Sequence, residues 1–506
     1  MLKRNLIANY LGQGWSALMG LAFIPLYIKY LGIESYGLIG LFAVLQAWLV
    51  FLDMGMTPAL GREMARFTGG THSAQSIRDL LRSIEVVTLG MAIAIGVVIW
   101  LASDWLASDW LKAEKLSTQT VAHAFTVMGV VTALRFAEGI YRSSILGLQR
   151  QVLFNVVNSA MATLRSVGAV AVLVWVSPTI EAFFLWQGAV SIFTLLVLAW
   201  ATYRMLPKAD QAARFSLQAL QGIWRFAGGM MGITLLSLLL MQVDKIVLSK
   251  LLNLSEYGYF MLASAVAGAL FMVSHPIVQA LYPRLTELHA LQDQSRFIET
   301  YHQGAQLISV TMGSAVVVLV VFAEQILHLW TQDRELAHRT AALVSLLALG
   351  NFLNALMFIP YQAQLAHGWT SLAIRINIVA VLTLVPTIFW ATSRYGAEGA
   401  AWAWVSLNAG YVLIGIQFMY HKILQTEKWN WYKNDLIWPL CAAVISALIV
   451  DNLISIDQLS AFFQMVSMGV ASGGVLLTAG MAAPIFRKKI VARISQWLNL
   501  LRVRTP

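Results

Sequence analysis

The chain is built from apolar stretches of roughly 20 residues that alternate with short polar segments. A helix needs about 20 apolar residues to cross a hydrocarbon layer of roughly 30 Å. We predict fourteen spans at residues 6–31, 36–60, 83–102, 119–140, 153–176, 182–202, 224–250, 256–281, 303–323, 340–361, 372–393, 399–420, 435–456 and 459–485. Charged residues make up only 11% of the sequence, against about 25% in soluble domains. The sequence therefore predicts an all-α polytopic membrane protein.

Basic residues are distributed unevenly between the two sides of the predicted spans. If the N-terminus is cytoplasmic, 23 Lys and Arg lie in inner segments and 6 in outer loops. This asymmetry follows the positive-inside rule and predicts that both termini are cytoplasmic. The formal net charge of +10 is thereby assigned to topology and to contact with membrane lipids, and not to nucleic acid. The first apolar run lacks a small-x-small cleavage site, so we interpret it as a retained span.

The two halves of the chain repeat each other at an offset of 221 residues. The Tyr-Gly pair at 36–37 recurs at 257–258, and the Ala-Leu pair at 59–60 recurs at 280–281. Spans one to six correspond to spans seven to twelve. Because each half has an even number of spans, we expect two parallel six-helix repeats plus two extra C-terminal helices. We interpret each Tyr-Gly pair as the turn of a helical hairpin, the first hairpin covering residues 24–66.

The repeat and the polar segments define a domain organisation. We predict an N-terminal six-helix lobe at 1–205, a cytoplasmic linker at 206–223, a second six-helix lobe at 224–425, helices 13 and 14 at 426–486, and a basic amphipathic cytoplasmic tail at 487–506. The tryptophan-rich stretch at 100–116 repeats the pentapeptide LASDW and is typical of a short interfacial helix. No loop exceeds about 20 residues, so an extramembrane catalytic domain has no room.

Motifs of enzymes are missing from the sequence. It contains no GxxxxGK[ST] nucleotide loop, no HExxH zinc motif, no GxSxG elbow and no Cys/His cluster with ligand spacing. Its one cysteine, Cys441, excludes an intramolecular disulfide. We therefore expect no catalytic residues, no metal site and no cofactor.

Ionisable residues within the spans are the candidates for function, because a charge at the bilayer centre costs at least about 2.5–3.5 kcal/mol. Arg165 lies twelve residues into its span, about 18 Å deep and close to the midplane. Asn155, Asn158 and Arg165 share one helix face. A guanidinium there suits an anionic headgroup, since its planar fork binds phosphate and keeps its charge. The alternative is a structural arginine paired with Glu138.

Further charged residues extend this candidate site. Arg135, Glu138 and Arg142 follow i, i+3 and i+7 on span four. They either line a substrate path or, for Arg135 and Glu138, neutralise each other. Arg142 lies where it could instead reach the interface. Arg375 on span eleven is the weaker counterpart in the second half.

Carboxylates in the spans are candidates for coupling to H⁺ or Na⁺. Asp53 lies about 17 residues into span two and Asp244 about 20 residues into span seven. Together with Glu138 they form this set, because burial makes a carboxyl group easier to protonate. Both aspartates lie near interfaces, where solvation gives a purely structural alternative. Asp244 and Lys245 point about 100° apart on a helix and need not pair.

Several segments resemble those of a known family. They are LDMGMTPALGREMAR at 52–66, YLGIESYG at 30–37, QVDKIVLSKLLNLSEYG at 242–258 and YGAEGAAWAWVS at 395–406. In their order along residues 1–425 they are similar to the polysaccharide transport branch of the multidrug/oligosaccharidyl-lipid/polysaccharide (MOP) exporter superfamily. Within it, the sequence most resembles Wzx-type O-antigen flippases.

The resemblance implies a V-shaped, two-lobed transporter of the bacterial inner membrane. It would move an undecaprenyl-pyrophosphate-linked oligosaccharide, an O-antigen-type unit of lipopolysaccharide, from the cytoplasmic to the periplasmic leaflet by alternating access. Related lipid II flippases use cavity arginines for the pyrophosphate and the last two spans for the lipid tail. An ion gradient or membrane potential would drive transport, and polysaccharide assembly proteins are expected partners. Two alternatives remain, namely a cation-coupled multidrug exporter of the same superfamily and a membrane-embedded polysaccharide polymerase or ligase.

Overall fold

The computed structural model describes residues 2–70, 72–209, 211–453 and 460–488, which are helical almost throughout. The helices of the first six predicted spans are α1 (Leu2–Ala22), α2 (Ile24–Leu52), α3 (Met56–Thr68), α4 (Ala74–Trp105), α5 (Thr118–Gly147), α6 (Gln151–Trp175) and α7 (Ile180–Met205). Short π-helical turns lie at Leu106–Trp110, where the turn extends α4, and at Tyr411–Gly415 and Trp431–Ile437. The predicted tail at 487–506 lies outside the described residues except for 487 and 488.

The remaining helices belong to the second half and the C-terminal pair. They are α8 (Leu217–Leu251), α9 (Leu254–Ala269), α10 (Phe271–Ala290), α11 (Gln294–Val321), α12 (Ala323–Thr331), α13 (Arg334–Leu356), α14 (Phe358–Ala366), α15 (Ser371–Gly410), α16 (Ile416–Lys422), α17 (Lys428–Asn430), α18 (Trp438–Leu453) and α19 (Ala461–Ala482). Helices α4 and α11 begin at Ala74 and Gln294, and α6 and α15 begin at Gln151 and Ser371. These separations of 220 residues follow the offset predicted from the sequence.

The number of apolar helices is compatible with the fourteen predicted spans. Among the described residues, eleven helical stretches are long and apolar enough to cross a membrane. One of them, Ser371–Lys422, contains two predicted spans and is interrupted at Gly396, whose φ of 60° and ψ of −145° are not helical. Two further predicted spans coincide with α1 and α8. The predicted all-α polytopic fold is confirmed.

The chain divides into two compact units at Met261, within α9. Helix α8 packs against α2, α3 and α4 and belongs to the first unit. The predicted domain limits, with a linker at 206–223, remain a prediction. In the second unit, α11 is the central helix and packs against α10, α13, α18 and α19.

The break in the first hairpin lies earlier than the sequence pattern predicted. Gly32 interrupts α2 with φ 82° and ψ 164°, a left-handed conformation that glycine adopts without a steric penalty. Tyr36 and Gly37 lie inside the helix, and Tyr36 is buried. In the second copy the break falls between Leu251 and Leu254. The interpretation of the Tyr-Gly pairs as turns was wrong.

The two Tyr-Gly pairs instead form a close helix crossing within the first unit. A Cβ placed on Gly258 would lie 2.3 Å from the backbone oxygen of Ile33, and one on Gly37 would lie 2.7 Å from that of Leu254. Only residues without a side chain allow backbones this close. The repeated pair is a packing motif.

Next to this crossing, partly buried polar contacts hold the tryptophan-rich segment. The Glu34 carboxylate, 3% exposed, accepts hydrogen bonds from the backbone N–H groups of Glu114 at 2.6 Å and Lys115 at 2.9 Å. Trp110 Nε1 donates to Ser249 Oγ at 3.0 Å. These contacts hold the segment after α4 against α2, just beyond its break at Gly32, and against the end of α8. They are consistent with a structural role for residues 100–116.

Candidate functional site

A cavity of about 500 Å³ lies in the first unit between α2, α5, α6 and α7. The charged residues in its lining are Asp53, Arg135, Glu138, Arg142 and Arg165. The three arginines and two carboxylates leave a formal charge of one positive. A volume of this order is typical of ligand sites.

A second cavity, of about 440 Å³, adjoins the first and shares four of its lining residues. The shared residues are Gln46, Arg135, Asn158 and Arg165. This second cavity extends toward Tyr27, and its charged lining residues are Arg135 and Arg165. Two guanidinium groups therefore stand at the boundary between adjacent cavities.

Arg165 is held by α5 and α7. Its Nη2 donates to Glu138 Oε1 at 2.9 Å and to Oε2 at 3.2 Å. The Ser191 and Thr194 hydroxyls each lie 3.4 Å from the same nitrogen. The pairing with Glu138 that the sequence left as an alternative is present, and Arg165 also lines the cavity.

Arg135 has different partners from those expected. Its Nη2 donates to Gln187 Oε1 at 2.9 Å, and its guanidinium carbon lies 4.9 Å from the centre of the Phe42 ring. The ion pair of Glu138 in the described residues is formed with Arg165. The alternative in which Arg135 pairs with Glu138 on its own helix is therefore not what the geometry shows.

Both arginines keep unused hydrogen-bond donors. The Nε atoms of Arg135 and Arg165 are buried and have no acceptor within the part of the chain that the structure describes. A buried donor without a partner costs about 1–3 kcal/mol. Such groups signal a water or ligand that the protein atoms alone do not supply.

The two asparagines of the polar stripe predicted on α6 have different surroundings. Asn158 lines both cavities and donates to Ser16 Oγ at 2.9 Å. Asn155 is buried against α1, where its Nδ2 donates to Asn9 Oδ1 at 2.6 Å. A Cβ on Gly12 would lie 2.3 Å from Asn155 Oδ1. Asn155 is therefore a packing residue and is not among those that line the cavities.

Other predicted site residues lie at the cavity edge or away from it. Arg142 lines the first cavity with its guanidinium carbon 5.1 Å from the centre of the Phe154 ring. The Asp53 carboxylate also lines this cavity, and it caps α3 by accepting from the backbone N–H of Thr57 at 3.0 Å. Because this aspartate ends α2 and does not lie within a helix, its position favours the structural alternative.

Asp244 and Arg375 are not part of these cavities. Lys245 Nζ lies 3.2 Å from Asp244 Oδ1, so the adjacent side chains pair although their helix positions diverge. Arg375 is exposed on α15 in the second unit. Its predicted role as a counterpart of Arg165 remains a prediction.

Sequence reasoning missed the contribution of α7. Gln187, Ser191 and Thr194 contact the two arginines, and Gln46 of α2 lines both cavities. The three α7 residues follow i, i+4 and i+7 on an otherwise apolar span. This polar stripe was a usable signal.

The arginines give these cavities a charge that favours an anionic ligand. Among the described residues, no group of three or more His, Cys, Asp or Glu side chains is arranged to hold a metal ion. The arginines offer fixed positive charge and planar donors.

Comparison with known proteins assigns the chain. Residues 2–289 match the family described as "Polysaccharide biosynthesis protein", which is more than half of the sequence. The chain belongs to the polysaccharide biosynthesis protein family. Residues 212–390 also match the MatE family. These matches confirm the resemblance to the polysaccharide transport branch of the MOP superfamily. Both cavities are lined by residues within 2–289, the region that matches the polysaccharide biosynthesis protein family.

Similar proteins span most of the chain. A Shigella flexneri protein named "Putative O-antigen transporter" is 19% identical over 420 residues, covering 83% of this chain and 98% of that protein. The structure of "Lipid II flippase MurJ, inward closed conformation" superposes with a TM-score of 0.72 at 13% identity, covering 96% of this chain and 99% of that one. An inward-facing multidrug resistance MATE family transporter gives a TM-score of 0.62 at 16% identity, covering 82% and 96%. The fold is that of these transporters.

Proposed function

We propose that this protein is a flippase for an undecaprenyl-pyrophosphate-linked oligosaccharide, which it moves from the cytoplasmic to the periplasmic leaflet of the bacterial inner membrane. The observation that carries the proposal is the pair of partly buried arginines between two cavities, each with a buried Nε that has no acceptor among the described residues. Family membership and the names of the similar proteins support the same substrate class.

The diphosphate would occupy the space between Arg135 and Arg165. A guanidinium presents two parallel N–H donors to phosphate oxygens, and these charge-assisted bonds are about twice as strong as neutral ones. In the described structure Arg165 uses Nη2 for Glu138. A diphosphate carries more charge than one carboxylate, so it competes with Glu138 for Arg165 and engages the free Nε. The sugars would occupy the first cavity, whose lining includes Gln46, Thr57 and Asn158, and the lipid tail would stay in the bilayer.

Transport would proceed by alternating access without nucleotide hydrolysis. The sequence has no nucleotide-binding loop, so an ion gradient or the membrane potential is the available energy source. An anionic headgroup that moves outward is favoured by the inside-negative potential, about 2.3 kcal/mol per charge for each 100 mV.

A cation-coupled multidrug exporter has the same fold, and the charges in the cavities separate the two functions. Positive charge repels an organic cation, and the charged lining residues of the second cavity are Arg135 and Arg165. Preferential transport of organic cations by the purified protein would reverse the choice.

The test is depletion of the protein in growing bacteria, followed by leaflet-specific detection of the lipid-linked sugar. The proposal expects accumulation in the cytoplasmic leaflet and loss of surface polysaccharide. Accumulation in the periplasmic leaflet would instead indicate a polymerase or ligase. Re-expression of an Arg394→Ala variant is the matched control, because Arg394 is an exposed arginine that contacts Trp390 at the second unit's surface.

A further inference from the structure

We infer that His302, Glu427 and Asp435 form a proton-binding site that fastens the last two spans to the second six-helix repeat. The three carboxylates predicted to couple ions, all in the first unit, have other partners. Glu138 pairs with Arg165, Asp244 pairs with Lys245, and Asp53 caps α3. This cluster lies in the second unit and belongs to neither cavity of the candidate site. The inference does not rest on the identity of the transported molecule.

The cluster joins three parts of the second unit. His302 lies in α11, Glu427 precedes α17, and Asp435 lies in the π-helical turn that leads into α18. Glu427 Oε2 lies 3.0 Å from His302 Nε2, and Asp435 Oδ2 is hydrogen-bonded to His302 Nδ1. His302 is 4% exposed and Asp435 is 1% exposed. An imidazole is thus held between two carboxylates away from solvent.

Both ring nitrogens of His302 face a carboxylate oxygen, so both contacts are hydrogen bonds only if each holds a proton. A neutral ring with two ionised carboxylates has one proton for these two contacts. A neutral imidazole has one N–H donor and one lone pair, and an ionised carboxylate only accepts. Because each ring nitrogen faces a carboxylate oxygen, one contact would set lone pairs against each other unless an additional proton is present. The proton is shared by the cluster as a whole, since its groups are strongly coupled.

Neighbouring amides complete the site and supply an alternative donor. Gln306 Nε2 donates to Asp435 Oδ1 at 2.9 Å. Asn430 Nδ2 donates to Glu427 Oε2 at 2.9 Å and lies 3.2 Å from His302 Nε2. When the proton leaves, Asn430 can donate to the ring nitrogen in its place. The site therefore has a protonated and a deprotonated arrangement with different contacts.

The groups that face the cluster are neutral or acidic. Tyr301 of α11 bonds to Tyr420 of α16 through the two hydroxyls at 2.8 Å, and both interact with Asp435. Asn434 Nδ2 donates to Asn430 Oδ1 at 2.6 Å. No Lys or Arg forms an ion pair with the three residues in the described part of the chain. With protonated His302 the three charges leave one net negative charge, and without it two.

Glu427 lies just outside the span that begins at Lys428, and its pKa reflects the charges and hydrogen bonds around it. The pKa of Glu427 is below its ordinary value, because hydrogen bonds from Asn430 and His302 outweigh the burial that would raise it. The negative charge of Glu427 beside the ring favours the protonated form of the cluster.

The cluster is placed where it can control the last two spans. Asp435 is near the start of the span that contains α18, and Gln306 Oε1 accepts from the backbone N–H of Ile485 at 3.0 Å, just after α19. Loss of the proton weakens the attachment of α18 directly. It also affects α19 through Gln306, which bonds to Asp435.

The equivalent position in the first unit has different chemistry. Glu85 lies 221 residues before Gln306, and its carboxylate accepts from the Tyr141 and Tyr203 hydroxyls at 2.8 Å. Arg82 is its ion-pair partner at 3.3 Å. In the part of the chain that the structure describes, the partners of Glu85 are two tyrosines and an arginine, so this corner of the first unit lacks the histidine between two carboxylates that the second unit has.

The experiment is thermal unfolding of the full-length protein in lipid nanodiscs between pH 5 and pH 9. The proton is lost as pH rises, so the unfolding temperature of the wild type should fall by about 2–6 °C across this range. His302→Gln cannot bind the proton and should flatten this dependence. His338→Gln is the matched control, because His338 is exposed and contacts Glu324, and it should keep the wild-type slope. An unchanged slope in His302→Gln overturns the inference.

A second readout follows the position of α18 directly. Cys441, the single cysteine of the chain, is exposed on α18 and can carry one environment-sensitive fluorophore. We expect its emission to change with pH in the wild type and not in Glu427→Gln, whose altered side chain is at the edge of the cluster. This variant serves if His302→Gln does not fold. Emission that is independent of pH in the wild type, or equally dependent in Glu427→Gln, contradicts the inference.

Discussion

Arg165 and Glu138 form an ion pair between α6 and α5, with Nη2 2.9 Å from Oε1. The pair borders a cavity, and its side chains are 22% and 14% exposed, so neither charge is sealed from an incoming ligand. Glu138 compensates the arginine while the cavity lacks an anion. The pair thus lowers the free-energy cost of keeping Arg165 charged in the membrane, and it leaves the guanidinium accessible to the proposed diphosphate.

Replacement of Arg165 tests the role of its charge. Arg165→Ala should abolish transport, because it removes charge-assisted bonds worth about 1.5–3 kcal/mol each. Arg165→Lys should keep partial transport if charge matters more than the planar fork. Surface polysaccharide is the measurement, with protein level in the membrane as control. Normal polysaccharide in Arg165→Ala at a normal protein level removes Arg165 from the mechanism.

Glu138→Gln tests competition for the same arginine. The amide should release Arg165 for the substrate, so inorganic pyrophosphate should bind several-fold more tightly to the purified variant. The free energy of unfolding should decrease by about 1–2 kcal/mol, since one half-buried charge loses its partner. Calorimetric binding and thermal unfolding measure the two effects. Weaker pyrophosphate binding would mean that Glu138 positions Arg165 and does not compete with substrate.

The helix crossing predicts a steric effect at Gly258. Gly258→Ala places a Cβ 2.3 Å from the backbone oxygen of Ile33, so α2 and α9 must separate, at a cost of about 1–3 kcal/mol. Gly90→Ala is the control, because a Cβ there meets nothing within 4 Å. Thermal unfolding of both variants in one detergent checks this. Equal stability of the two variants would be incompatible with the crossing.

The buried carboxylate of Glu34 predicts a local loss of order. Glu34→Ala leaves the N–H groups of Glu114 and Lys115 without their acceptor, at about 0.5–1.5 kcal/mol for each lost hydrogen bond. Limited proteolysis should cut the segment after Trp110 faster in the variant. Glu335→Ala, at an exposed side chain, should leave the cutting rate unchanged. Equal rates in Glu34→Ala and wild type would contradict this assignment.

Membrane physics made the fold predictable, whereas local conformation needed coordinates. The lengths of the apolar stretches predicted the helices, because a helix that crosses the bilayer needs a fixed number of apolar residues. The 221-residue offset predicted that the second half repeats the first. The Tyr-Gly pair was misinterpreted as a turn because a tyrosine beside a glycine is also what a close helix crossing requires. The left-handed Gly32 gave no stronger signal than its neighbours.

The site was predictable only where a residue's depth determines its role. Arg135 and Arg165 were found because charge is expensive at the midplane. Asn155 was assigned to the same face as Asn158. It packs against α1 instead, because Gly12 has no side chain and leaves room for the Asn155 amide. Gln187 and His302 were missed because uncharged polar residues and single histidines are common in helices. Their roles arise from partners 52 and 133 residues away.

Reconstituted transport tests the central claim most directly. The purified protein would be placed in liposomes with a fluorescent undecaprenyl-pyrophosphate oligosaccharide, and its movement between leaflets would be followed with an imposed inside-negative potential. We predict rapid movement with wild-type protein and with Arg394→Ala, and movement at the protein-free rate with Arg135→Ala/Arg165→Ala. Wild-type movement at the protein-free rate, or unimpaired movement by a correctly folded double variant, would contradict the account.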